Sequence, residues 1–352
     1  MPLVAASLVV APFAAADDTP AKPREWKLST AVGPAFALGK AGERWAVLVA
    51  EKSGGAISVK PFPGATLAAR DPEREFAALR DGAMELAVGS SLFWAAQVVE
   101  LNLIGLPWLA ADARQLDALV TGAIRERLDA AIERAGAVPL ACAALGFRAL
   151  ATAQVSIETP ADLAGLGVRV ASSSLLNDVF IALGATPRVA SFVDAQAAMK
   201  NGSLAAQEGT PAVFAAARLD ALGIRHVALW GAVAEIAVFA VNRAAWAGLT
   251  DAERVAVGDA ARETARELPD IARAASEAAL AELRKRGTVP GEITLVIGLA
   301  SEELTPAVHA QPLKERVRQL MQAQKLSRME ALKVVARERH ISKSQAYREY
   351  ES

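Results

Sequence analysis

Gly146-Phe147-Arg148-Ala149-Leu150-Ala151-Thr152 and, after a short gap, Thr159-Pro160-Ala161-Asp162-Leu163-Ala164-Gly165-Leu166-Gly167-Val168-Arg169-Val170 set two arginines on strand-like segments either side of a turn. Thr159 suits a helix N-cap, Pro160 the first helical position and Asp162 the positive end of the first turn. Guanidinium stays charged at any working pH and presents a planar fork of donors, which matches a carboxylate two bonds at a time.

Outward from this stretch, short apolar strands alternate with helices. Toward the N-terminus, Trp26–Ala31 alternates as a strand and Gly33-Pro34 breaks it. Leu38 to Lys52 carries Leu38, Ala41, Trp45, Leu48 and Val49 on one helical face, stopped by Ser53-Gly54-Gly55. Ile57–Phe62 is a second strand, Glu73–Leu79 a helix and Met84–Gly89 a third strand. This β-α-β-α-β order predicts a mostly parallel sheet, whose ligands bind beyond the carboxyl ends of the strands. The segment Gly89-Ser90-Ser91-Leu92-Phe93-Trp94 is then a candidate site wall. Ala113–Ala135 reads as one helix and Val138–Ala143 as the strand leading to Arg148.

Toward the C-terminus, Val168–Val170, a helix over Leu175–Leu183 and a helix over Asp194–Asn201 closed by Gly202 belong to a second lobe, from about 148 to about 235. Ile236–Asn242 is a buried strand that returns to the first lobe. Thr250 then opens a very long helix to about Arg286, with Glu253 at the capping-box position and Pro269 predicted to kink it.

This pattern resembles the solute-binding proteins of TRAP (tripartite ATP-independent periplasmic) transporters, the DctP family, over residues 25–287. The carriers are the Arg148 and Arg169 stretches, the Pro63-Gly64 and Asp81-Gly82 turns, Leu106-Pro107-Trp108, Gly184-Ala185-Thr186-Pro187, and Asn242 with Trp246. The resemblance implies an α/β, two-lobed periplasmic-binding-protein-like fold. Lobe I is 25–147 plus about 236–287, lobe II is 148–235, and a long helix spans both. It implies a non-enzymatic receptor that closes over a small organic acid and delivers it to TRAP membrane permease subunits. Arg169 would hold the carboxylate and Arg148 would supply a second contact. Phe93, Trp94 and Trp230 would wall the pocket, and Glu75 and Glu208 would bond ligand hydroxyls or set the arginines. Where the family shows Val-Asp-Gly-x-Glu, this chain has Leu204-Ala205-Ala206-Gln207-Glu208. Where the family then places a polar ligand residue, it has Gly209 and Thr210.

Composition excludes other classes. The 352 residues exceed a single core, carry a formal net charge of −1 and are 53% hydrophobic. Cys142 is the only cysteine, so an intramolecular disulfide and a cysteine zinc site are excluded. His226, His309 and His340 lie far apart, and no nucleophile–base grouping, P-loop or Gly-x-Gly-x-x-Gly follows a strand. We therefore expect no cofactor, no metal and no enzyme. Residues 1–16 form an apolar run ending in Ala14-Ala15-Ala16, a signal-peptide-like segment that implies periplasmic export. It has no Lys or Arg before the run, which suggests a true start upstream.

Residues 288–352 depart from the pattern. Three short amphipathic helices follow Lys314, with breaks at Leu326-Ser327 and Ile341-Ser342 and serine as N-cap each time. Residues 311–352 hold ten Lys/Arg against five Asp/Glu. This helix-turn-helix-like tail resembles the C-terminal region of the small-subunit ribosomal RNA methyltransferase I family, which carries a comparable Gly-Glu-x-x-Leu-Val segment. The resemblance implies a fused or mis-joined chain and an alternative function, rRNA contact through residues 311–352.

Overall fold

The computed structural model describes residues 22–190, 192–292, 313–324, 326–338 and 343–351. The signal-like segment 1–16 and the break at Ile341-Ser342 lie outside them.

The chain first builds β1 (Arg24–Thr30), α1 (Ala37–Lys52), β2 (Ile57–Pro63), α2 (Glu75–Arg80), β3 (Leu86–Ser90) and the single turn α3 (Ser91–Trp94). Then follow α4 (Ala113–Leu119), α5 (Ala123–Ala135) and β4 (Ala137–Phe147). The helix expected over 113–135 is thus two helices. Val120 ends the first, and Gly122, extended at φ −102° and ψ −158°, starts the second. The second lobe holds β5 (Ala149–Thr152), β6 (Gly167–Val170), α6 (Ser174–Ala182), β7 (Thr186–Val189), α7 (Phe192–Lys200), β8 (Ala206–Gly209), α8 (Pro211–Ala216) and β9 (His226–Leu229). The chain returns through β10 (Ala234–Asn242), α9 (Arg243–Ala247) and α10 (Asp251–Lys285), and ends this unit with β11 (Val289–Glu292).

Two sheets result, in the orders β2-β1-β3-β10-β4 and β11-β9-β5-β8-β6-β7. In the first, β1 pairs in parallel with β2 and β3, while β10 runs against both β3 and β4. In the second, β6 is parallel to β7 and β8, β11 is parallel to β9, and β5 runs against β8 and β9. Each sheet therefore has one reversed strand, and in each case it is the strand that arrives from the other lobe. β11, which follows directly on the boundary expected at 288, belongs to the second sheet, where it pairs in parallel with β9.

β10 is apolar at nearly every position because both faces of its sheet are covered. Ile236, Val238 and Ala240 pack with Phe76, Trp94 and Ile132 on one side. Ala237, Phe239 and Val241 pack with Trp45, Val257 and Leu268 on the other. α10 contacts β4 and α1 in the first lobe and α8 and β11 in the second, so one helix ties the two together. Thr250 and Glu253 form the expected capping box at its start. The helix runs continuously through Pro269, whose missing N–H leaves the Ala265 carbonyl without its helical donor.

A separate unit follows, with α11 (Leu313–Gln324), α12 (Arg328–Glu338) and α13 (Lys343–Glu351). Leu313, Val317, Leu320, Leu332, Val335 and Ala346 form its core. Ser327 caps α12: its hydroxyl accepts from the Glu330 N–H, while the Glu330 carboxylate accepts from the Ser327 N–H at 3.0 Å. Among the described residues, no helix is long and apolar enough to cross a membrane.

Candidate ligand-binding site

A cavity of about 500 Å³ lies between the lobes, closed along one side by Pro269, Ala272 and Ser276 of α10. Its charged wall is assembled at the points where the chain crosses over. Arg148 sits between β4 and β5, and its N–H donates to the Val233 carbonyl at 2.8 Å. Its side chain is buried between two carboxylates. Nε donates to Glu208 of β8, and Nη1 donates to Glu235 Oε2 at 2.8 Å. Burial works against the Arg148 charge, but Glu208 and Glu235 outweigh it and hold the guanidinium protonated well above its ordinary range. The second Glu208 oxygen accepts from the Ala171 N–H at 3.3 Å, and the Ser90 hydroxyl donates to Glu235 Oε1. One hydrogen-bonded chain thus runs from β3 of lobe I, through both crossovers, to the end of β6 in lobe II.

Arg169 is placed differently. Val168 and Val170 on either side of it point into the lobe II core, which leaves Arg169 on the opposite face of β6 and lining the cavity. Its Nε donates to the Ala190 carbonyl at 3.1 Å, and among the described residues its two terminal nitrogens have no acceptor. Burial depresses this guanidinium below its ordinary value; Glu208 opposes that and Arg148 adds to it. A half-buried cation without a carboxylate of its own faces the cleft.

The remaining expected residues divide. Phe93 and Thr210 line the cavity. Thr210 also caps α8, its hydroxyl accepting from the Val213 N–H at 3.3 Å. Glu208 acts behind the lining, on Arg148. Trp94, expected as a wall, lies in the lobe I core: its ring covers Gly89 so closely that a Cβ there would stand 1.8 Å from Trp94 Cε2. Phe93 and Trp94 are consecutive in the single turn of α3, and only the first lines the cleft. Glu75 is fully buried behind it, accepting from Ser29 at 2.6 Å and from Trp94 Nε1 at 3.3 Å, away from the cavity. Trp230 packs against Phe180, with ring centroids 5.2 Å apart, in the lobe II core and outside the lining.

Glu235 and Ser90 extend the charged network; the sequence reading gave Glu235 no role in the site and placed Ser90 only within a candidate wall segment. Glu235 had a signal, being the one charged residue in the apolar run from 231 to 242. A register shift between Glu235 and Ile236 falls beside it. The absent side chain at 209 also has a cause. A Cβ there would meet Phe214 Cε1 at 2.7 Å, so the buried Phe214 ring excludes the polar residue the pattern calls for. Among the described residues, no group of three or more His, Cys, Asp or Glu could hold a metal ion.

The chain matches the family model for bacterial extracellular solute-binding proteins, family 7 (DctP), over residues 28–311. The match runs past 288, so the methyltransferase resemblance of the tail gains no support and residues 288–311 fall inside the binding-protein match. The C4-dicarboxylate-binding periplasmic protein DctP of Rhodobacter capsulatus is 28% identical over 299 residues, 84% of this chain and 88% of that protein. A TRAP periplasmic solute-binding protein of Ralstonia eutropha H16, solved with bound (S)-2-acetolactate, is 41% identical with a TM-score of 0.72, covering 77% of this chain and 87% of the other. A TRAP periplasmic solute-binding protein from Chromohalobacter salexigens shares the fold at 20% identity, with a TM-score of 0.72 over 89% of this chain and 99% of its own. With a family match over most of its length and a solved relative of the same fold at 41% identity, the chain belongs to the DctP family of bacterial extracellular solute-binding proteins: it is a TRAP-type solute receptor, not an enzyme.

Proposed function

We propose that the protein captures a small organic acid between its lobes, with the carboxylate on the Arg169 fork, and delivers it to TRAP permease subunits in the membrane. One observation carries this reading. Arg148 is neutralised by Glu208 and Glu235, while Arg169, on the same cavity, has no acceptor at its two terminal nitrogens among the described residues. Arg148 then acts as a positioning residue: held by Glu208 and Glu235, it keeps the crossovers and the Arg169 strand in place. Phe93 and Thr210 line the ligand's path. The Ralstonia relative's bound acetolactate and the Rhodobacter relative's C4-dicarboxylate specificity support a carboxylate as the cargo. The periplasm is the usual location of this family and fits the signal-like residues 1–16.

A thermal-shift screen of the purified protein against small carboxylates tests the reading. An acid at ~100 times its dissociation constant adds about 2.7 kcal/mol of stability. Arg169→Ala is expected to remove that gain. A shift that survives Arg169→Ala, or no shift with any acid, sinks the assignment.

For the tail, RNA contact by residues 311–352 rests on charge alone, ten Lys/Arg against five Asp/Glu. It requires binding to a structured RNA that weakens steeply between about 50 and 200 mM salt. No binding at the lower salt removes it.

A further inference from the structure

The polar groups of the cleft fix more than the seat of one carboxylate. Arg148 and Arg169 bring two positive charges, and Glu208 and Glu235 cancel them. At the mouth, Arg273 is exposed and paired with Asp270, and Asp117 adds a negative charge. Among the described lining residues, no cation is left over for a second carboxylate. The hydroxyls are largely committed as well. Ser90 donates to Glu235 and accepts from the Leu92 N–H at 3.3 Å, and Thr210 accepts from Val213. Position 209 has no side chain, for the packing reason given above. Among the described lining residues, Ser276 is the one hydroxyl with no recorded partner. Most of the remaining wall side chains are apolar, with Phe36, Phe93, Phe147, Leu116 and Leu145 among the larger ones.

We propose that this site selects monoanions: a monocarboxylate with a compact apolar body and at most one or two further polar atoms, in preference to dicarboxylates and polyhydroxylated acids. The proposal rests on the receptor reading and deepens it. One bound carboxylate already leaves the cleft with a net negative charge. A second would be taken from water with no counter-charge, which strongly disfavours it. Each ring hydroxyl of a sugar acid would likewise lose water and find an apolar wall or an occupied partner. An apolar body instead gains from every wall contact.

The test separates charge from size with matched pairs. Monomethyl succinate keeps the four-carbon chain of succinate but has one charge, and cyclohexanecarboxylate has a six-membered ring like that of glucuronate without its hydroxyls or ring oxygen. Calorimetric titration of the full chain is expected to show each first member binding at least about tenfold more tightly than the second, a difference of about 1.4 kcal/mol. Glu235→Gln, which leaves the cleft one charge more positive, is expected to narrow the succinate gap. Succinate equal to its monoester, or glucuronate equal to cyclohexanecarboxylate, in the unaltered protein overturns the proposal and leaves the receptor reading standing. No binding by any acid overturns the receptor reading, and this proposal with it. The ratios in the unaltered protein decide the matter even if Glu235→Gln does not fold.

Discussion

At the scale of single residues, the same side chain does different work according to what neutralises it. Arg148 and Arg169 were both expected to contact the ligand; two carboxylates commit Arg148 to structure, and Arg169 stays open to the cleft. Glu75 is the third buried charge of interest, and it has no cation beside it. Burial, only partly offset by its hydrogen bonds from Ser29 and Trp94, pushes its pKa up to about 7. The unfolded carboxyl titrates near about 4.3. The folded state therefore holds its proton more tightly, and this contribution to stability is full below about pH 4 and lost as pH rises through about 7. We predict that Glu75→Gln flattens the decline in stability between about pH 5 and 8, gaining roughly 2–3 kcal/mol at the upper end by linkage. Chemical denaturation across that range measures it, and an unchanged slope refutes it. The family resemblance pointed to Arg169, Phe93 and the Thr210 position, and local pattern supplied the strand and turn on which they sit; all three line the cavity. Sequence reading sent Trp94 to the cavity because neighbours in sequence do not reveal which side of a one-turn helix each residue takes, and Glu75 because a carboxylate that opens a helix reads as accessible until its burial against Ser29 and Trp94 is seen. Glu235 went unread because a strand buried on both faces presents as one apolar run, and the single carboxylate at its start has meaning only beside Arg148, far away in sequence.

At the scale of elements, caps and crossovers locate the site. Asn242 ends β10 and opens α9: its Oδ1 accepts from the Ala244 and Ala245 N–H groups at 3.0 Å each, and its Nδ2 donates to the Leu79 and Arg80 carbonyls at 2.8 and 3.1 Å. One side chain therefore ties the returning strand to the end of α2. Asn242→Ala removes four hydrogen bonds to backbone groups, and we expect a loss of about 2–4 kcal/mol in urea unfolding. A loss under about 0.5 kcal/mol, the range of an ordinary surface change, contradicts that role. Helix and strand positions in both lobes followed from periodicity and from Gly, Pro and Ser punctuation. The break between α4 and α5 was not legible, because the helical spacing continues across Thr121 and Gly122. β11 was not legible either, since a four-residue edge strand is specified by its partner β9 more than by its own residues.

At the scale of the whole molecule, three connections join the lobes: β4 into β5, β9 into β10, and the long α10. The cavity lies among them, and every described residue that lines it falls between Ala31 and Leu280. The unit that ends at Leu295 therefore contains all of the described lining. We predict that a chain ending at residue 295 binds its acid within about twofold of the full chain, a difference under about 0.5 kcal/mol. A tenfold loss in titration calorimetry would mean that residues 296–352 contribute to the site. The central claim remains the division of labour between the two arginines, and a crystal structure of the complex with a bound monocarboxylate tests it most directly. The account predicts both carboxylate oxygens within about 3 Å of the terminal nitrogens of Arg169, with Arg148 still held by Glu208 and Glu235. A carboxylate seated on Arg148, with Glu235 displaced and Arg169 turned away, would contradict it.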